Sequence, residues 1–134
     1  MIQKIVIAMN GDQRFALVNG APITELNPKE LLLFAASDCA GRTVVSLLNG
    51  HVASLLRLEL TMEGKLSTPT LVAESRFVSF NLIYNAECRT LKDQMVISRA
   101  IGLAHDKYCG LLQMLRKIAP VTHEVSIVTT EEQA

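Results

Sequence analysis

The chemistry in this chain sits on its cysteines. Cys39 lies in AASDCAGRTVVSLL, residues 35–48, with Asp38 just before it and Arg42 three residues on. Cys109 lies in AHDKYCGLLQMLR, residues 104–116, with His105 one helical turn earlier. A thiol reacts through its thiolate, which a nearby cation favours and a nearby anion opposes. Arg42 is expected to outweigh Asp38 at Cys39, because adjacent side chains on a helix diverge. His105 is placed to exchange a proton with Cys109. Cys88, in NAECRT at a strand end, reads as incidental.

Successive helical residues advance by about 100°. On that wheel Cys39 shares its side with Ala35, Arg42, Thr43 and Ser46, while Leu33, Phe34, Val44 and Leu48 stand opposite. The Cys39 side is small and partly polar, with room for a ligand or a partner helix. Cys109 shares its side with His105, Asp106, Gln113 and Arg116, against Ala104, Leu111, Leu115 and Ile118. A free cysteine is commonly packing, so packing and reactivity both stay open. No pair has CxxC spacing, and His51, His105 and His123 form no metal-spaced cluster. Neither a metal nor a cofactor is expected.

These residues need elements to hold them. Residues 4–9 (KIVIAM) read as a strand, with a turn at Asn10-Gly11-Asp12 and a returning strand at 14–18. A third short strand is expected at 23–26. Asn27-Pro28 opens a helix, with Asn as cap, Pro in its first turn and Glu30 suiting its dipole. That helix should run to Leu48 and stop at Asn49-Gly50, with Gly41 a weak point that could mark a bend. Residues 55–62 and 71–84 alternate as strands. A second long helix starts at Thr90 with Asp93 able to cap it, carries helical periodicity over 95–118, is open to splitting at Gly102 and Gly110, and closes at Pro120. Residues 121–128 form a last strand, and the tail TTEEQA should fray. The order is βββ-α-ββ-α(α)-β, an α+β arrangement in one domain over residues 1–134.

Composition narrows the function. Thirteen basic and thirteen acidic residues cancel, and aromatics are limited to four Phe and two Tyr. A neutral chain without a basic stripe argues against nucleic acid as a partner. The start MIQKIVIAMNG lacks a secretory h-region, and the longest apolar run, residues 31–36, falls short of the roughly 20 residues of a membrane span. A soluble cytoplasmic protein is expected, since three cysteines make no secreted disulfide framework.

Two motifs together resemble a known family. NPKELLLFAASDCAGRTVVSLL is similar to the cysteine helix of OsmC/Ohr-like proteins, and AIGLAHDKYCGLLQML to that family's second cysteine motif. The likeness spans about residues 14–128 and is closest to a less characterised OsmC-like branch. It implies an intertwined homodimer, with two long central helices per chain wrapped by sheets from both chains and sites at the subunit interface. It also implies a thiol peroxidase acting on organic hydroperoxides. Cys39 would be oxidised to a sulfenic acid, Cys109 would condense with it, and a small or protein-borne dithiol would restore both thiols. Arg14 is the match for the Arg that holds the thiolate site in the family, and Glu30 for its Glu. Lys29 stands where that acid is usual, which puts Glu30 about 100° further round, and Arg42 is placed to share the electrostatic work. The alternative is a dimer of this fold that binds an apolar small molecule without catalysis.

Overall fold

The computed structural model describes residues 1–130. Strands β1 (Ile2–Met9) and β2 (Phe15–Leu17) form a hairpin, followed by helix α1 (Pro28–Leu48). Strands β3 (Leu55–Leu66) and β4 (Phe77–Cys88) form a long hairpin, then come α2 (Leu91–Leu103), α3 (Gly110–Leu115) and β5 (Val121–Thr129). The strands make one sheet in the order β2-β1-β3-β4-β5. β5 runs parallel to β4, which requires a crossover, and α2 with α3 supplies it.

Alternation decides which face the helices cover. Register places Ile5 opposite Met62 and Met62 opposite Leu82, and likewise Ile7, Leu60 and Tyr84 in the next row. All six are buried. Their neighbours on the other face are polar, as in the Asn81–Glu63 hydrogen bond and the Arg57–Glu87 ion pair. α1 lays Leu33, Ala36, Ala40, Val44 and Leu48 into the same core. Residues Pro28–Ser54 are long and apolar enough by composition to cross a membrane, but these five side chains are packed on the sheet.

The expected start of α1 is met in detail. Asn27 accepts from the Glu30 N–H at 2.8 Å, and Glu30 Oε1 accepts from the Asn27 N–H at 3.0 Å. This reciprocal cap satisfies two otherwise orphaned donors. At α2 the cap is Thr90, whose hydroxyl accepts from the Asp93 N–H, with Asp93 itself in the first turn.

Four expectations change. Residues Ile23–Glu25 form a single 3₁₀ turn, not a strand, closed by the Leu26 N–H donating to the Ile23 carbonyl just before the Asn27 cap. Asn49 does end α1 with φ of 49°, but Asn49–Ser54 continues as 3₁₀ turns. β4 begins only at Phe77. The preceding loop is held instead by the Ser75 hydroxyl, which accepts from the Val72 N–H. The tail is secured through Thr130, whose N–H donates to the Cys88 carbonyl; the remainder, 131–134, lies outside the described residues.

Gly41 does not interrupt α1. A Cβ there would lie 2.6 Å from the Phe15 ring, so its lack of a side chain docks the β1–β2 hairpin on the helix. Alanine is better than glycine inside a helix by about 1 kcal/mol, but overpacking costs about 1–3 kcal/mol. Gly41→Ala is therefore expected to destabilise by about 1 kcal/mol net, read as a lower urea midpoint. With Phe15→Leu already present, the same change should stabilise. A stabilised single variant would refute the packing role.

Candidate active site

The helix carrying Cys39 and the segment carrying Cys109 meet over the inner face of the sheet. Cys109 Sγ is 3.1 Å from Cys39 Sγ, and both thiols are free. Cys39 is half-buried and Cys109 fully buried. Cys39 lies at the wall of an open groove of ≈ 770 Å³, with Cys109 buried behind it. Phe34, Ala35 and Leu47 of α1 and Leu111 of α3 make its apolar lining, Asp38, Arg42, Thr43 and Ser46 its polar stretch, and Tyr108 its lip. Phe34, placed opposite Cys39 by the helical wheel, in fact reaches this groove.

Cys109 owes its position to a break in the second helix. After α2, residues Ala104–Tyr108 form a π-turn, closed by the Cys109 N–H donating to the Ala104 carbonyl at 2.9 Å. Cys109 follows in an extended conformation and α3 starts after it. The split foreseen at Gly102 and Gly110 thus falls between them, at the cysteine. Such π-turns accompany functional sites often enough to be informative.

The two sulfurs are not equivalent. Cys109 donates its S–H to Cys39. Burial first, and then this hydrogen bond, push the Cys109 thiol up to about 12. Cys109 therefore remains protonated at neutral pH and presents a donor to its neighbour.

Arg42 is placed differently from its expected role. Its Nε donates to Asp38 Oδ2 at 3.0 Å, and its side chain is 60% exposed. Asp38 thus compensates the charge that was to favour the Cys39 thiolate, in a solvent-screened i,i+4 pair. The second Asp38 oxygen has no hydrogen-bond partner among the described residues. Glu30 lies outside this groove and serves the α1 cap. Nine positions separate it from Cys39, or two and a half turns, so it faces the opposite side of α1. Arg14 is exposed in the β1–β2 turn, its N–H bonded to Asn10 Oδ1, and it does not line the groove.

His105 is likewise no partner for Cys109. It is 1% exposed. Its Nδ1 shares a 2.9 Å hydrogen bond with the Tyr84 hydroxyl, and its ring stacks on His123 at 3.9 Å. Burial, aided by His123 and Arg116, pushes its imidazole down to about 4. It is neutral at physiological pH. Burial also raises the Tyr84 hydroxyl well above its ordinary value. Tyr84 was not singled out from sequence; the available signal was a tyrosine on the inward register of a strand, where its hydroxyl must find a partner. Cys88 is buried in β4, its thiol directed at the Thr90 carbonyl. Among the described residues no three His, Cys, Asp or Glu side chains gather as a metal site would require.

Comparison with known proteins adds three findings. A family described as OsmC-like protein matches residues 20–124. The chain is 35% identical over 104 residues to protein YhfA of Escherichia coli, covering 76% of this chain and 73% of YhfA. Two solved structures share the fold. An OsmC-like protein from Mycoplasma pneumoniae superposes with a TM-score of 0.62 at 15% identity, over 96% of each chain. The organic hydroperoxide resistance protein OsmC of Legionella pneumophila gives 0.52 at 20% identity, over 92% of this chain and 96% of that one.

Proposed function

The chain belongs to the OsmC-like protein family, and from that premise we propose that it is a cytoplasmic thiol peroxidase that reduces organic hydroperoxides. The observation that carries this reading is the 3.1 Å approach of Cys39 and Cys109 at an open groove with an apolar lining. The name of the Legionella relative supports the substrate class.

Cys39 is the attacking sulfur because it borders the groove and is the less buried of the two. As thiolate it attacks the outer oxygen of ROOH. The O–O bond breaks, the alkoxide leaves and takes a proton, and Cys39 becomes a sulfenic acid. Cys109 then attacks that sulfur, the S–O bond breaks, and water leaves as the Cys39–Cys109 disulfide forms. The sulfurs need approach by only about 1 Å to reach the 2.03–2.05 Å of a disulfide. An external dithiol, small or borne on a protein, is oxidised in turn and restores both thiols. The parts given to Arg14 and Glu30 rest on the family resemblance alone.

This reading includes a single OsmC-like domain that works as a homodimer. Apolar side chains left uncovered on the described surface support the second point: Met95 is 76% exposed and Ile118 66%. β5, at the edge of the sheet, adds to it with Val125 and Val128, 42% and 52% exposed. Treatment of the reduced protein with an alkyl hydroperoxide should consume two thiols per chain and link Cys39 to Cys109 in peptide maps, with Cys88 still free. Recovery of all three thiols unmodified would sink the peroxidase reading.

The pairing of Arg42 with Asp38 and the distance of Glu30 from the groove favour a second reading, a dimer that holds an apolar small molecule without turnover. It predicts tight binding of such a ligand by the protein, with both thiols inert to hydroperoxide.

A further inference from the structure

The π-turn before Cys109 leaves backbone carbonyls without the helical partners they would otherwise have, because the Cys109 N–H bonds to Ala104 and not to His105. Side chains from α3 and its end reach back to fill the gap. Arg116 Nη2 donates to the His105 carbonyl at 2.7 Å, and Nη1 donates to the Asp106 carbonyl at 3.2 Å. Gln113 Nε2 also donates to the His105 carbonyl, at 3.2 Å, while its Oε1 accepts from Arg116 Nη1 at 3.1 Å. One planar guanidinium therefore ties two carbonyls of the turn to the helix on the far side of Cys109, and the cysteine is the joint between them. A lysine, with a point charge on a flexible stem, lacks this fork.

We propose that Arg116 is a positioning residue for the cysteine pair: by bracing the π-turn it holds Cys109 against Cys39 for disulfide closure. This rests on the reading of Cys109 as the resolving thiol. Arg116 makes no contact with the groove, so the attack of Cys39 on the hydroperoxide does not depend on it. Losing the guanidinium slows the second step and spares the first. The longer-lived sulfenic acid is then open to a second hydroperoxide, which converts it to sulfinic acid.

The test is single-turnover oxidation with tert-butyl hydroperoxide. Sulfenic acid is trapped with a cyclic 1,3-dione, and disulfide and sulfinic acid are measured by mass spectrometry over time. In Arg116→Met the first step should stay within about twofold of wild type, while closure slows at least about tenfold, the effect of one charge-assisted hydrogen bond, since both of those to the turn are lost. Sulfinic acid at Cys39 should rise in step with that delay. Arg116→Lys should restore closure only in part. Gln113→Met, a milder change, should slow closure by less than Arg116→Met, and it keeps the test in force should Arg116→Met fail to fold. Oxidation by diamide, which is reduced to its hydrazine as the two thiols join, separates this proposal from the peroxidase reading. Slow diamide closure in the Arg116→Met or Gln113→Met protein, in a chain inert to hydroperoxide, would uphold positioning and reject peroxidase action. Wild-type closure rates in both variants with both oxidants would overturn the proposal.

Discussion

Replacement of Cys39 by serine is expected to abolish hydroperoxide turnover, by at least ~10³-fold, the scale for removing a nucleophile. A serine hydroxyl in the same place has neither the thiolate's nucleophilicity nor a stable oxidised form to pass on. The Cys109→Ser protein should behave differently. It retains Cys39 at the groove and, given one equivalent of hydroperoxide per chain, should consume it without catalytic turnover, leaving a sulfenic acid that a cyclic 1,3-dione traps on Cys39 before excess oxidant can carry it to sulfinic acid. The asymmetry follows from the site. Cys39 borders the groove, whereas Cys109 is buried and held protonated, its thiol pushed up to about 12. Equal loss of the first equivalent in both variants would mean that the two sulfurs share the attack. Sustained turnover in Cys39→Ser would falsify the assignment of the nucleophile.

The second large effect is on stability in acid, through His105. Its imidazole is pushed from an ordinary 6.5 down to about 4, first by burial, then by His123 and Arg116, with Asp106 opposing in part. Between these values the unfolded chain binds a proton there that the folded chain does not. Stability therefore rises with pH across that window. The contribution is complete above about pH 6.5 and is lost progressively as pH falls towards 4, to a total on the order of 3 kcal/mol. Protonation makes Nδ1 the donor to Tyr84 Oη and leaves a charge stacked on His123. Urea unfolding of wild type and His105→Gln at steps from pH 7 to pH 4 reads this directly. The difference between them should shrink as the pH falls, because glutamine keeps a polar partner for Tyr84 but does not titrate. Parallel curves would show that His105 is not the group responsible. Carboxylates titrating below about pH 5 affect both proteins and cancel in the difference.

Much of this molecule could be read from local signals. Asn27-Pro28 with Glu30 three residues after the cap announces the start of α1, and the capping box is formed. Thr90 and Pro120 bracket the second helical region, and Gly102 and Gly110 flank its break. The small, partly polar side of α1 around Cys39 pointed to the groove there, whereas Cys109, expected on a polar helix side, is buried in the break between α2 and α3. Signals of longer range misled. Residues 23–26 have strand composition, but their backbone closes a 3₁₀ turn that leads into the Asn27 cap. Arg42 looked free to act on Cys39 because its pairing with Asp38 depends on rotamers, and both readings of an i,i+4 pair are open until the side chains are placed. Glu30 matched the family's acid by order along the chain and failed to reach the groove by helical angle.

Caps, turns and amphipathic periods were determined by the sequence itself, since each depends on residues within a turn or two and on backbone donors that must be satisfied wherever the element lies. The approach of two sulfurs seventy positions apart, the stacking of His105 on His123 and the bracing of the π-turn by Arg116 were decided only by the tertiary structure. Sheet register and helix packing set those distances to within an ångström, and no local preference encodes a distance between segments that meet only when the core closes.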